Sequence, residues 1–176
     1  MFWLDIIYKI IKVFKDGATP GQIAWGLTLG TMMGLMPGWP LQVIILLIIS
    51  LILNVNLTMV GLGAVVSSLI SWALDPLLNS LGSYVLTDIP QLTGLFTIMF
   101  NSTFWMLTRF NNTVVMGGFV LGVFSAVPLY FIFKQMVVLI RKNIVTKLAD
   151  SKLAKVIKRS WIYGIYSKIN AVGTRI

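Results

Sequence analysis

The sequence lacks the residue types from which most catalytic and metal sites are built. Its 176 residues include no cysteine and no histidine, and glutamate occurs at no position. Without cysteine the chain has no disulfide, thiolate nucleophile or sulfur-ligated metal. Without histidine and glutamate it lacks the usual metal ligand and the usual general bases. We therefore expect no metal and no other cofactor, and an enzyme is the least favoured class of function.

Charged residues are scarce as well. They make up 11% of the chain, whereas 57% of the residues are hydrophobic and the mean hydropathy is +0.90. Soluble domains carry about 25% charged residues. The composition therefore indicates an all-α integral membrane protein, and the length leaves room for one domain without a large soluble appendage.

The basic residues are concentrated near the two ends of the chain. After Lys15 none occurs until Arg109, and Lys134 is the next. Because short loops rich in Lys and Arg stay cytoplasmic, both termini and the turn around Arg109 are predicted to lie on the cytoplasmic side. Asp75 and Asp88 have no basic neighbour and are predicted to lie outside.

Both ends of the chain have the amphipathic pattern of helices that lie in the headgroup plane. Residues 1–16 place apolar side chains opposite lysines, and residues 146–176 form a basic cytoplasmic tail of the same design. The transmembrane domain is predicted between them, over residues 17–145. The basic faces fit either a solvated surface beside anionic lipid or a docking site for a partner, and nucleic acid is not expected as a partner.

Six apolar segments lie between these flanks. Two of them, Leu57–Leu74 and Leu92–Leu107, approach the roughly 20 residues that cross a membrane, so we predict two spanning helices. The other four form two Gly/Pro-broken helical hairpins, namely Gln22–Met36 with Leu41–Leu53, and Val114–Val127 with Leu129–Ile140. Such hairpins can be re-entrant or can span as short helices, and Trp39 at the first turn favours spanning.

The two predicted hairpins resemble copies of an internal repeat. Their first helices carry small residues four apart at one constant offset, and under that offset Gln42 aligns with Lys134. Such stripes let helix backbones approach closely. In transporters, Gly- or Pro-interrupted segments at matching places in two halves also mark the substrate site. The glycines predicted to pack helices together are Gly26, Gly30, Gly34, Gly118 and Gly122.

Lys134 is the sharpest candidate for a functional side chain. A lone charge at the centre of a bilayer costs about 2.5–3.5 kcal/mol on insertion scales, so its ammonium needs a partner or water. Either the long stem carries the ammonium to the interface, or the ammonium binds a phosphate or carboxylate headgroup as a point charge. In the second case Gln42 donates hydrogen bonds to the same headgroup.

Three further polar residues are candidates for binding the same ligand. Asp75 precedes Pro76, so it either ends a helix in a turn or acts as a proton-coupling carboxylate. Asn111 and Asn112 stand where the second hairpin begins, and helix capping is the simpler interpretation of both.

Several short motifs, in this order and spacing, resemble a family of small bacterial membrane proteins. They are Thr19-Pro20, Gly34-Leu35 with Pro37, Val55-Asn56, Leu74-Asp75-Pro76 and the run from Leu107 to Thr113. The family is related to domain of unknown function 2062, and Asp75-Pro76 departs from the Asn-Pro pair usual in it. The resemblance implies the bacterial inner membrane but no reaction. Relatives fused to lipid-linked glycosyltransferases imply a lipid or polyprenyl-phosphate ligand, and relatives encoded beside a large envelope protein imply a protein partner.

The residues and the resemblance together leave two functions open. In the first, the hairpins form a groove that handles or transports an anionic lipid or lipid carrier as part of an envelope complex, with Lys134 and Gln42 at the headgroup. In the second, the protein is a non-transporting anchor, and its loop Asp75 to Pro90 or its basic tail docks a large periplasmic partner. Transport needs a polar path, whereas an anchor needs only an exposed docking surface.

Overall fold

The computed structural model describes residues 18–142, and this part of the chain forms six helices. The chain divides into two compact units, Met1–Val137 and Val138–Ile176, and only residues 138–142 of the second unit are described. The predicted flanking helices at 1–16 and 146–176 lie outside the described residues. The helices are α1 (Pro20–Gly34), α2 (Leu41–Ile52), α3 (Leu57–Thr87), α4 (Pro90–Phe100), α5 (Thr103–Met106) and α6 (Thr113–Ile140).

Helix α1 begins with a complete capping box. The Thr19 hydroxyl accepts a hydrogen bond from the Gln22 backbone amide (3.2 Å), and the Gln22 side chain accepts one from the Thr19 amide (2.8 Å). Pro20 takes the first helical position. A backbone N–H there would have no partner within the helix, so its absence costs nothing, and the fixed φ of proline suits the helix. The start of α1 is thus determined by residues next to one another in the sequence.

Residues 35–40 turn the chain from α1 into α2. Two prolines, Pro37 and Pro40, remove backbone donors here. Gly38 between them has a φ of +80°, a left-handed conformation that glycine adopts without steric cost. Helix α2 then runs back along α1, and the amide of Asn56 donates to the Gln22 carbonyl (3.3 Å) near the start of α1.

Helices α1 and α3 run in the same direction and pack through glycine. A Cβ added at Gly26 would lie 2.7 Å from the carbonyl oxygen of Asn56, and one added at Gly30 would overlap the carbonyl oxygen of Val60. On the facing helix, a Cβ at Gly63 would lie 2.7 Å from the Leu27 carbonyl oxygen. The two backbones are therefore so close that no side chain fits between them.

Helix α3 continues through Asp75-Pro76 to Thr87, so the prediction that this pair ends the helix is wrong. Proline removes one helical hydrogen bond and crowds the preceding turn. Packing on both sides of it holds the helix together. Before the proline, the Ser71 hydroxyl donates to the Leu35 carbonyl (3.4 Å), and after it Leu78 and Gly82 contact the first turns of α6.

The predicted spanning helix over Leu92–Leu107 is also wrong. The segment contains the separate helices α4 and α5. Helix α4 ends at Phe100, where the Asn101 amide side chain donates to the carbonyl of Thr97 (3.0 Å). A polar residue that bonds to the last turn competes with continuation of the helix. At 11 residues, α4 is about 16 Å long, too short to cross the roughly 30 Å of hydrocarbon alone.

The second predicted hairpin does not exist, because α6 is continuous from Thr113 to Ile140 with Pro128 inside it. Helix α6 runs antiparallel to α1 and packs on both sides of the proline. Gly118 lies against the Leu35 carbonyl, and beyond the proline the ring of Tyr130 stacks on Trp25 at 4.7 Å. A single proline, with no glycine or second proline beside it, does not end the helix, and these contacts with α1 keep α6 continuous.

Two described helices are long and apolar enough to cross a membrane, α3 and α6. They correspond to the predicted third segment, extended, and to the two halves of the predicted second hairpin, fused. Only 28% and 22% of their most apolar windows are buried. Large side chains face outward along both helices, with Trp72 83% and Phe124 81% exposed. Exposed apolar surfaces of this kind mark membrane or protein-interaction sites.

Candidate functional site at the α1–α2 turn

The two residues predicted to share a headgroup lie at opposite ends of α1. Gln42 follows Leu41, whose amide donates to the Leu107 carbonyl (3.0 Å) beside the turn after α1. Lys134 lies one helical turn beyond Tyr130, which stacks on Trp25 near the start of α1. The prediction that Gln42 and Lys134 meet one ligand is therefore wrong. It depended on a second hairpin, and a continuous α6 carries Lys134 away from the turn.

Lys134 has an aromatic environment. Its ammonium lies over the ring of Tyr130, 5.6 Å from the ring centroid, and the side chain is exposed. A cation at this distance from a ring is attracted by about 0.5–1 kcal/mol at exposed sites. Within the described residues Lys134 has no carboxylate partner. Its charge therefore interacts with the Tyr130 ring and with the surroundings of the helix.

The opposite end of α1 brings two loops together. The Leu41 amide bonds to the carbonyl of Leu107, and a Cβ on Gly38 would lie 2.9 Å from a guanidinium nitrogen of Arg109. Arg109 has a φ of +49°. For a residue with a Cβ such a backbone conformation costs of order 1–3 kcal/mol and is found most often at functional sites. Arg109 thus combines a strained backbone with a guanidinium that lies against the α1–α2 turn.

One face of α3 adds polar groups at the same end. Ser71 contacts the Leu35 carbonyl at the end of α1, and Asn79 accepts a hydrogen bond from the Thr113 hydroxyl at the start of α6. Asp75 lies on α3 midway between these two residues, four positions from each, so it shares their face. Its side chain is half-buried. Asp75 therefore lies on α3 between the residue that contacts the end of α1 and the residue that contacts the start of α6.

Three polar side chains at this end have no protein partner in the described part of the chain. The Gln42 Oε1 atom is buried and accepts no hydrogen bond, and neither Asp75 nor Arg109 forms an ion pair or a side-chain hydrogen bond there. We call Gln42, Asp75 and Arg109 the turn-end cluster. It combines a cation with five donors, an anion and a neutral acceptor. In residues 18–142 no group of three potential ligands could hold a metal ion.

The two asparagines have different surroundings. The Asn112 side chain accepts from the Val115 amide (3.0 Å) and so caps the start of α6. Asn111 is exposed beside it and has no hydrogen bond among the described residues. Asn112 is therefore occupied in holding the helix, whereas Asn111 lies free next to the turn-end cluster.

The charge pattern predicted a role for Arg109 only as a marker of topology. A signal for a binding role was present, because Arg109 is the only basic residue between Lys15 and Lys134 and stands among aromatic residues. What the sequence could not indicate is that Gly38, far away in the chain, lies beneath its guanidinium.

These observations define an all-helical bundle with two helices able to cross a membrane and an unpaired polar cluster at one end. The chain belongs to the family described as "Uncharacterized protein conserved in bacteria (DUF2062)", whose model matches residues 6–144. This confirms the family predicted from the sequence motifs. An uncharacterized protein of Treponema pallidum (strain Nichols) is 25% identical over 124 residues, which cover 70% of this chain and 76% of the relative. No solved structure matches the chain.

Proposed function

We propose that the protein is an integral protein of the bacterial cytoplasmic membrane that binds the phosphate of an anionic lipid or lipid carrier through Arg109, and that it handles or transports this lipid. The observation that supports the proposal most directly is the Arg109 guanidinium, held over Gly38 without a carboxylate partner among the described residues.

Aromatic residues support a membrane whose two surfaces lie at the two ends of α1. Trp25 and Tyr130 stack at one end. At the other end, the turn carries Trp39, which is 74% exposed, and α5 carries Trp105. Tryptophan and tyrosine are enriched at membrane interfaces. Along α6 the aromatic residues at one end of α1 are separated from those at the other end by about 24 Å of helix. This distance corresponds to the thickness of a modestly thinned bilayer.

The continuity of α6 determines how charge is distributed between the two surfaces. Arg109 precedes this helix and Arg141 follows it. If α6 crosses the membrane, the two arginines lie on opposite sides, and the reason for placing the Arg109 turn with both termini no longer holds. The basic residues up to Lys15 and from Arg141 onward far outnumber Arg109, so both termini are cytoplasmic and the turn-end cluster faces outward.

Arginine at an outer interface suits a phosphate ligand. Lipid phosphates lie at the level of the interfacial aromatic belt, and a guanidinium binds phosphate oxygens with two parallel hydrogen bonds. Lys134 lies over Tyr130 at the cytoplasmic end, where its long aliphatic side chain carries the ammonium to the membrane interface.

An anchoring function is the second candidate, and one observation favours it. No residue of α4 is buried, and Leu95, Ile98 and Phe100 are each more than half exposed. With the second half of α3, which is helical rather than a loop, α4 offers an apolar surface to an envelope partner. This surface is separate from Arg109, so the two functions respond to different substitutions.

Lipid binding by the purified full-length protein tests the proposal. In native mass spectrometry with phosphatidylglycerol, Arg109→Gln should weaken binding about 10-fold, the scale of a lost charge-assisted hydrogen bond. Arg109→Lys should retain part of the affinity because the charge remains. Lys134→Gln is the matched control, a cation removed at the opposite end, and should bind like the parent.

Two results would overturn the proposal. Equal binding by the parent and Arg109→Gln would show that Arg109 is not the phosphate ligand. Displacement of the lipid by an equal concentration of inorganic phosphate would show that the site takes a soluble anion rather than a lipid.

A further inference from the structure

The turn-end cluster contains more than a phosphate ligand needs. A phosphodiester offers only acceptors, which the Arg109 donors satisfy. The cluster also contains the Asp75 carboxylate and the buried Oε1 of Gln42, neither of which has a donor among the described residues. The carboxylate repels a bare phosphate, and the Oε1 atom can form no hydrogen bond with one, so these two acceptors restrict what kind of headgroup fits.

Gln42 provides the sharper of these two observations. An acceptor buried without a donor costs about 1–3 kcal/mol, and buried polar atoms in folded proteins are rarely left unpaired. Gln42 lies in the first turn of α2, next to Leu41, whose amide donates to the Leu107 carbonyl. In the chain it follows Gly38, which lies beneath the Arg109 guanidinium. The contacts of Leu41 with Leu107 and of Gly38 with Arg109 thus bring together the two segments that carry Gln42 and Arg109.

Asp75 adds a charge of the opposite sign on the facing helix. It lies between the contact of Ser71 with the end of α1 and the contact of Asn79 with the start of α6. The unpaired cation and the unpaired anion make the turn-end cluster neutral overall. Such a site favours a headgroup whose negative and hydrogen-donating parts are distinct, because each part then meets a complementary group.

We propose that the turn-end cluster selects phospholipids whose headgroup carries a hydrogen-bond donor, a hydroxyl or an ammonium, beyond the phosphate. Arg109 holds the phosphate, and Gln42 and Asp75 accept from the donor. The inference rests on the proposed function, since it names the ligand class of the same site.

A pair of lipids of equal charge tests the inference. Phosphatidylglycerol and phosphatidylmethanol with the same acyl chains are both singly anionic phosphodiesters, but only the first has hydroxyl donors. Native mass spectrometry of the full-length protein should show phosphatidylglycerol bound about 3- to 10-fold more tightly, the range of one or two neutral hydrogen bonds. The zwitterionic pair phosphatidylethanolamine and phosphatidylcholine should differ in the same direction.

The variants separate this inference from the proposed function. Gln42→Leu should reduce the preference for phosphatidylglycerol over phosphatidylmethanol, since only Asp75 then accepts from the donor, whereas Arg109→Gln should weaken binding of both lipids. Gln42→Leu removes a buried unpaired acceptor, so it should melt no lower than the parent; if it fails to fold, the parent's preference between the two lipids decides alone. Equal binding of the two lipids by the parent overturns the inference, while loss of both in Arg109→Gln still supports lipid binding.

Discussion

Replacement of Gly30 by alanine should destabilise the protein, whereas the same replacement at a glycine with open surroundings should not. A Cβ at Gly30 overlaps the Val60 carbonyl oxygen and lies 2.9 Å from the Ala64 nitrogen. These are backbone atoms, which cannot move aside as a flexible side chain does. Overpacking costs about 1–3 kcal/mol, and alanine recovers about 1 kcal/mol of helix propensity. Because the overlapped atoms belong to the backbone, the cost lies at the upper end of this range, and we expect a net loss of about 2 kcal/mol.

Melting of the purified protein in detergent measures this loss. For a chain of this size about 1 kcal/mol corresponds to 2–4 °C, so Gly30→Ala should lower Tm by about 4–8 °C. Gly61→Ala on α3 is the matched control, because a Cβ there meets nothing within 4 Å, and its Tm should equal or exceed that of the parent. Gly122→Ala should be nearly neutral, since its nearest neighbour is the flexible Met32 side chain at 3.4 Å. The packing argument is refuted if Gly30→Ala melts like the parent or if Gly61→Ala loses as much.

Because the chain has no cysteine, Asn111→Cys provides a unique thiol, which a membrane-impermeant maleimide should label in intact spheroplasts, whereas Lys142→Cys should be labelled only after lysis; the reverse pattern would contradict the proposed orientation. Thr19→Ala removes one half of the α1 capping box and should cost about 0.5–2 kcal/mol, seen as a lower Tm, with Thr93→Ala on exposed α4 as the control. Lys134→Met loses only the contact with Tyr130 and should change stability by no more than about 1 kcal/mol, so a collapse of the protein would show that Lys134 has a buried partner.

The sequence alone determined the features that depend on neighbouring residues. The scarcity of charge and the long apolar segments predicted a helical protein with membrane-crossing helices, and short motifs predicted its family. The capping box of Thr19 and Gln22 starts α1, and Pro37, Gly38 and Pro40 end it in a turn. In each case the atoms that interact belong to residues a few positions apart, so the pattern is visible in the sequence.

Only the tertiary structure decided whether a single proline ends a helix. Pro76 and Pro128 each cost a helix about 3 kcal/mol, and nothing local restores that energy. Contacts from distant residues do so, because Leu78 meets Gly117 and Tyr130 meets Trp25. The continuity of α6 then moves Lys134 away from Gln42, while the approach of Arg109 to Gly38 brings an unpredicted cation to the site. Both outcomes depend on how helices far apart in the chain pack together, and no local pattern in the sequence encodes that packing.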